Sequence, residues 1–90
     1  MGLQVAGLNP DFKARFGISK TLNYGVVIIA IEPTSRAASA KIKVGDVILE
    51  MNRVKILNLD QFRLAMAQAT KGNKILLLMH RMGSTFFTAL

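Results

Sequence analysis

One stretch, residues 32–52, constrains the fold more than any other because it contains a turn, a short helix, a second turn and a strand. Pro33 ends the apolar run before it, since proline has no amide hydrogen to donate to a sheet. Ser35 can cap the alanine-rich helix that follows, and Gly45 permits the turn after that helix. The apolar segment that begins at Val47 is typical of a buried strand. The stretch therefore predicts two strands joined by a small helix.

Further strands are predicted on both sides of this unit. The alternation over residues 2–8 is typical of a half-buried strand, and Val26–Ile31 is apolar on both faces, as a central strand is. Shorter extended segments are predicted over residues 54–57, 75–79 and 85–90. Most connections between strands are short, which favours antiparallel pairing. We predict one mainly β domain over residues 1–90, a partly open antiparallel barrel of five to six strands capped by two or three helices.

Two further helices have recognisable ends. Asn9 can cap a short helix that Gly17 ends. Asn58 can cap the longest helix, with Gln61 able to return a hydrogen bond to the cap, and Gly72 is predicted to end it. This helix carries two neighbouring stripes at helical spacing, which are Phe62, Ala65 and Ala69 on one and Leu59, Arg63 and Met66 on the other.

Charge and composition exclude several classes of function. The net charge is +7, but the 12 lysines and arginines are scattered singly, whereas nucleic-acid-binding surfaces usually cluster them among aromatic residues. Two interpretations of the positive charge stay open. One is a plain basic surface, and the other is attraction of anions such as carboxylates over long range. The chain has no cysteine, so no disulfide or thiolate metal site is available. No apolar run is long enough to span a bilayer, and the first ten residues do not resemble a signal peptide.

Catalytic and metal-binding arrangements are not recognisable in the sequence. The single histidine, His80, lies at the end of a predicted strand, and none of the four serines lies in a nucleophile motif. The five carboxylates show no metal-ligand or acid–base spacing, and Asp46 is assigned to a turn before a strand. Glycine-rich phosphate loops are absent. We therefore predict no enzymatic activity, no catalytic residue, no metal and no cofactor.

A groove between the first strand and the longest helix is the predicted binding site. An extended peptide lying there would add a strand to the sheet edge. The free amides of residues 1–3 could form a nest for a carboxylate, since Gly2 allows close backbone approach. An apolar pocket for the terminal side chain would be lined by Met1, Leu3, Val5, Leu59 and Met66. From the residues alone the alternative stays open that both helix stripes simply pack in the core.

The motifs are those of a known family. Residues 32–52 read EPTSRAASAKIKVGDVILEMN, which is similar to a family pattern that runs from Pro-Gly-Ser-Pro-Ala-Ala to Gly-Asp-Val-Ile-Leu. Residues 60–63 and 81–87 extend the similarity. The chain resembles a PDZ domain of the HtrA (Deg, DegP-like) serine protease family. Lys41 stands where that family has glycine, and in a left-handed conformation lysine would cost about 1–2 kcal/mol.

The resemblance implies a site and a function. The apolar-Gly-apolar binding loop corresponds to residues 1–3, and the ligand-pairing strand to residues 3–5. The implied peptide-binding residues are Met1, Gly2, Leu3, Gln4, Val5, Leu59, Arg63 and Met66. The implied function is recognition of free, apolar C-terminal ends of unfolded proteins by β-strand addition, which would regulate or tether an attached HtrA-type serine protease.

The resemblance also implies a context. The chain would be a non-catalytic part of an exported bacterial protein, a trypsin-like serine endopeptidase of the periplasm or cell envelope. Its partners would be C-terminal peptides of substrates and the attached protease domain, with no nucleic acid and no membrane span. The isolated domain would be monomeric and the parent protein a homo-oligomer. The alternative is an assembly or oligomerisation scaffold that contacts a sister domain or the protease core.

Overall fold

The computed structural model describes residues 2–69 and 74–90. Two predictions therefore lie outside the described residues, the part of Met1 in the binding loop and Gly72 as the end of the longest helix. Along the chain the elements are β1 (Leu3–Gly7), α1 (Pro10–Phe16), β2 (Val26–Ile31), α2 (Arg36–Ser39), β3 (Val47–Met51), β4 (Val54–Lys55), α3 (Leu59–Ala69), β5 (Leu76–Arg81) and β6 (Ser84–Ala89).

The strands form one antiparallel sheet with two free edges. The order of the strands is β1-β2-β3-β5-β6. The short β4 lies outside this order and pairs only with β3 among the described strands. All the described strand pairs are antiparallel. With three helices in the described ranges, this confirms the predicted mainly β, partly open architecture. The order leaves β1 at one edge of the sheet and β6 at the other.

Apolar side chains on both faces of the sheet explain where the helices lie. Val26 and Ile28 of β2 belong to the larger core cluster, against which α3 packs through Phe62 and Ala69. Val27, between them, belongs to a second cluster on the opposite face, which helix α1 covers with its phenylalanines. Because successive strand residues alternate between faces, a strand with both faces buried must be apolar throughout. The central position predicted for β2 is therefore confirmed.

Helix starts follow the predicted capping residues. Phe12 N–H donates to Asn9 Oδ1 at 2.8 Å, and Gln61 N–H donates to Asn58 Oδ1 at 2.9 Å. The return bond from Gln61 differs from the prediction, because its Oε1 accepts from the amide of Leu57, one residue before the cap, at 2.8 Å. The side chain of Asn58 thus caps the first turn of the helix, and the side chain of Gln61 holds the residue that precedes the cap.

Positive φ angles occur at turns and not at Lys41. Among the described non-glycine residues they are found at Asn52 (51°), Arg53 (67°) and Met82 (48°). Asn52 and Arg53 form the β3–β4 turn, in which both central residues are left-handed as a tight hairpin requires. Lys41 has no positive φ angle, so the loss of stability expected for a left-handed lysine does not occur.

A partly buried ion pair joins the turn before β3 to the end of β5. Asp46 is only 2% exposed, and its carboxylate accepts from Arg81 Nε at 2.8 Å and from Arg81 Nη2 at 2.6 Å. The amide of Lys43 donates to the same carboxylate at 2.8 Å. The hydrogen bond to Asp46 raises the pKa of the Arg81 guanidinium. The sequence assigned Asp46 to a turn and missed this partner, which lies far away along the chain.

Candidate functional site

The predicted groove residues lie along the β1 edge and the neighbouring face of α3. Leu3 and Val5 are half-buried and pack against the larger core cluster. Leu59 and Met66 of α3 are also half-buried and pack against that same cluster. We call these four side chains the groove wall. They bring together apolar surface from the edge strand and from the helix, and they keep part of it exposed to solvent.

The two stripes of α3 have different surroundings. Phe62 and Ala69 of the first stripe are buried in the core. The second stripe keeps partial exposure at Leu59 and Met66 and full exposure at Arg63. Ala65, the third member of the first stripe, is half-buried like Leu59 and Met66. The first stripe therefore belongs mostly to the core, whereas the second forms a rim beside the open strand.

The two polar residues of the predicted site are exposed. Gln4 of β1 points to solvent. Arg63 makes a long ion pair of 4.0 Å with Asp60, and both side chains are highly exposed. An exposed pair at this distance is worth little, because water and salt screen the attraction. The guanidinium of Arg63 thus remains available to a further anionic or polar group.

The peptide unit between Gly2 and Leu3 is oriented by a hydrogen bond to the end of β2. The amide of Glu32 donates to the carbonyl of Gly2 at 2.8 Å, so that carbonyl points toward β2. A peptide unit is planar and trans, and the N–H of Leu3 therefore points the opposite way, toward the open edge. Leu3 and Ile31 form a non-hydrogen-bonded pair of the antiparallel ladder. In such a pair the main-chain N–H points away from the partner strand, which agrees with the outward direction of the Leu3 N–H.

Gly2 occupies a position that a larger residue would not fit. Its φ is +86°, a region that side chains rarely adopt. A Cβ placed on Gly2 would overlap the Cβ and Oγ of Ser35, the residue that caps α2. A surface hollow at the start of β1 is lined by residues from β1 and β2, which are Gly2, Leu3, Gln4, Ala30, Ile31 and Glu32.

Side chains that could bind a metal ion are not gathered in the described ranges. No group of three or more metal-ligating side chains is found among residues 2–69 and 74–90. His80 is half-buried in β5, opposite Val47 on one side and Thr85 on the other. None of the helices in the described ranges has the length and apolar character needed to cross a bilayer.

Sequence comparisons place this geometry among known proteins. The family model of the PDZ domain matches residues 1–79. The chain is 31% identical over 77 residues to a protein of Chlamydia pneumoniae named "Probable periplasmic serine endoprotease DegP-like", covering 86% of this chain and 16% of that protein. It is 32% identical over 72 residues to "Serine endoprotease DegS" of Haemophilus influenzae, covering 80% of this chain and 21% of that one. The chain thus spans about a fifth or less of the length of these relatives.

Two solved structures have the same fold. One is the HtrA3 PDZ domain bound to a phage-derived ligand, FGRWV, with a TM-score of 0.79 and 16% identity over all of this chain and 80% of that one. The other is the HtrA-type protease AlgW with a decapeptide, with a TM-score of 0.80 and 26% identity over 98% of this chain and 26% of that one. At 16% identity the first likeness concerns the fold alone.

Proposed function

This chain belongs to the PDZ domain family, of the type found in HtrA (Deg) proteases, and we propose that it binds the free C-terminal ends of polypeptides along β1. The observation that carries the proposal is the outward direction of the Leu3 amide on an open sheet edge beside a half-exposed apolar stripe. An extended ligand there would continue the antiparallel ladder by main-chain hydrogen bonds. These bonds supply affinity without depending on ligand sequence.

Preference for a chain end would come from the start of β1. The outward amide at Leu3, next to the tight turn at Gly2, offers a donor to a terminal carboxylate. Hydrogen bonds to an ionised group are about twice as strong as neutral ones. Met1 is predicted to contribute the first residue of this loop.

Preference for an apolar last residue would come from the groove wall. Leu3, Val5, Leu59 and Met66 present partly exposed apolar surface that a ligand side chain could cover. Full burial of one such side chain stabilises a complex by about 1.5–3 kcal/mol. Unfolded proteins expose both apolar side chains and free ends, so their C-termini are the ligand class that we propose.

Charge would tune this recognition at longer range. The net charge of +7 would draw anionic chain ends toward the domain. Arg63 at the groove rim, and Gln4 on β1, would favour acidic or polar residues upstream of the ligand's last position. We expect this contribution to weaken as salt is raised.

The relatives support a role next to a protease. Both are named serine endoproteases, and the name of the Chlamydia pneumoniae protein includes the word periplasmic. We propose that peptide capture by this domain regulates or tethers a trypsin-like serine protease domain of the same, exported protein. In this proposal the parent protein is a homo-oligomer of the periplasm or cell envelope, and the isolated domain is a monomer.

The test compares a free and a blocked chain end. A peptide array of C-terminal sequences selects a ligand, and fluorescence polarisation measures its affinity with a free carboxylate and with a C-terminal amide. We expect the amide to bind at least about tenfold more weakly, because it loses the charge-assisted bond. Equal affinity of the two peptides would show that carboxylate capture is wrong.

The alternative function is assembly through a surface on the other side of α3. A hollow there is lined in part by Leu64 and Val54, which are 63% and 58% exposed. Exposed apolar side chains of this kind are found at contacts with other proteins. Under this alternative the domain ignores C-terminal peptides and associates with a sister domain or protease core. Sedimentation velocity separates the two functions, because only the assembly function predicts association with a sister domain, and a contact through apolar side chains should persist as salt is raised.

A further inference from the structure

We propose that Ser35 is a positioning residue for carboxylate capture, because it holds the Gly2–Leu3 peptide unit in the orientation that directs the Leu3 amide outward. This inference rests on the proposed function and names a part of the same site. Ser35 lies at the start of α2, away from the groove wall and outside the set of residues that the sequence predicts to touch a peptide.

The first line of support is a chain of hydrogen bonds through one turn. Ser35 Oγ donates to the carbonyl of Glu32 at 2.6 Å, and the Ser35 amide donates to the same oxygen at 3.1 Å. The amide of Glu32 in turn donates to the carbonyl of Gly2 at 2.8 Å. Glu32 is therefore held on one side by Ser35 while it holds Gly2 on the other.

The second line of support is direct packing. The Cβ and Oγ of Ser35 fill the space in which a Cβ on Gly2 would stand. Ser35 Oγ also accepts from the amide of Ala38 at 3.3 Å and so caps α2. One small side chain thus joins the start of β1, the end of β2 and the start of α2.

These contacts limit a backbone that would otherwise be mobile. Glycine has more conformational freedom than other residues, and Gly2 at φ +86° has no side chain of its own to restrict rotation. With the Gly2 carbonyl anchored, the planar peptide unit leaves one direction for the Leu3 N–H, toward the ligand. A donor that is already oriented binds more tightly because less entropy is lost on binding. Ser35 would supply this orientation without contacting the ligand.

The experiment uses two matched glycine substitutions, one at the cap of α2 and one at its last residue. Ser35→Gly removes the hydroxyl and the Cβ, while glycine is nearly as good a cap as serine, so loss of capping is kept small. Ser39→Gly, at the exposed end of α2, makes the same chemical change away from Gly2. The probes are the array-selected peptide with a free carboxylate and the same peptide with a C-terminal amide.

We expect Ser35→Gly to weaken binding of the free-carboxylate peptide about tenfold and to leave binding of the amide within about twofold. The ratio of the two dissociation constants therefore falls, whereas simple destabilisation of the fold would weaken both peptides together. Without any peptide, hydrogen exchange of the Glu32 amide should become faster in Ser35→Gly. Ser39→Gly should change neither readout.

Two results would overturn the inference. If Ser35→Gly keeps the wild-type ratio, or if exchange at the Glu32 amide is unchanged, Ser35 does not position the loop. If the wild-type domain itself binds both peptides equally, the proposed function fails and the role of Ser35 falls with it. The wild-type titration thus separates failure of the function from failure of the positioning role.

Discussion

The two edges of the sheet, β1 and β6, offer similar backbones and different surroundings. At β1 the Leu3 N–H points away from the sheet. At β6 the main-chain groups of Leu90 and Ile75 bond to each other. Alternate residues of β6, counted from Ala89 toward Ser84, therefore direct their N–H and C=O groups away from β5. Each edge could therefore accept an added strand as far as hydrogen bonding is concerned.

The side chains beside the edges make the difference. At β1 the groove wall combines Leu3 and Val5 with Leu59 and Met66 of α3. At β6 the outward residue Phe87 is 62% exposed and does not belong to either core cluster. Main-chain groups give affinity to any extended chain, and only a wall of side chains can select among chains. The comparison teaches that an open edge becomes a specific site when a helix lies next to it.

Loosening the β6 side of the sheet gives the largest expected effect. Arg81→Ala leaves Asp46 buried without its ionic partner, and breaking a buried pair costs about 3–5 kcal/mol. The Arg81 side chain is 34% exposed, so solvent screening reduces the expected loss to about 3 kcal/mol. Urea unfolding measures it. Peptide affinity below the unfolding transition should stay within about twofold, because the groove wall lies at the other edge.

The control for that variant is Arg63→Ala, which removes an exposed ion pair and should change stability by less than about 0.5 kcal/mol. A loss below about 1 kcal/mol for Arg81→Ala would contradict the structural role of the pair.

The same pair gives an expectation for pH. Asp46 raises the pKa of Arg81 in the folded state, so the stabilisation is complete below the ordinary arginine pKa and is lost only as pH rises through the raised value. Titration of Arg81 should therefore not alter the stability difference between wild type and Arg81→Ala from about pH 6 to about pH 9. Urea unfolding at several pH values checks this. A difference that declines steadily over the alkaline half of this range would contradict it.

A charge placed at each edge tests the comparison directly. Met66→Glu and Leu3→Glu put a carboxylate into the groove wall, where it opposes both apolar burial and the ligand's own carboxylate. We expect a loss of about 2 kcal/mol in binding, or roughly 30-fold in the dissociation constant. Phe87→Glu, the matched change at β6, should leave affinity within about twofold. Fluorescence polarisation measures all three variants, and equal losses at both edges would break the comparison.

The smallest expected effect lies in a turn that belongs to neither edge. Arg53 is left-handed at φ 67°, and glycine there would relieve strain but lose chain entropy on folding. We expect Arg53→Gly to stabilise the domain by about 0.5 kcal/mol. Lys41→Gly should instead destabilise it by about 0.5–1 kcal/mol, since Lys41 has no positive φ to relieve. Thermal unfolding measures the stability of both variants. A change in the same direction for both would contradict the left-handed backbone of Arg53 or the absence of one at Lys41. Peptide binding should be unchanged in both.

Much of the fold could be predicted because its signals are local. The capping side chains Asn9, Ser35 and Asn58 act on amides within a few residues, and each begins a helix as expected. The residues proposed for binding could be named from helical spacing and from the family resemblance, and their role in binding stays a prediction. One local detail differed, since the side chain of Gln61 accepts from the amide of Leu57 and not from that of the cap. The contact of Arg81 with Asp46, which joins two distant parts of the chain, was not predicted at all.

The sequence by itself determined the strands, the helix starts, the turns and the family, since alternation, caps and turn residues act over a few positions. The first strand was predicted as an edge, and only the tertiary structure decided the order in which the strands pair and that β6 is the other edge. It also decided that Arg81 meets Asp46 and that Ser35 packs against Gly2. Such contacts join residues far apart along the chain, and their energies depend on register and burial that no local pattern contains.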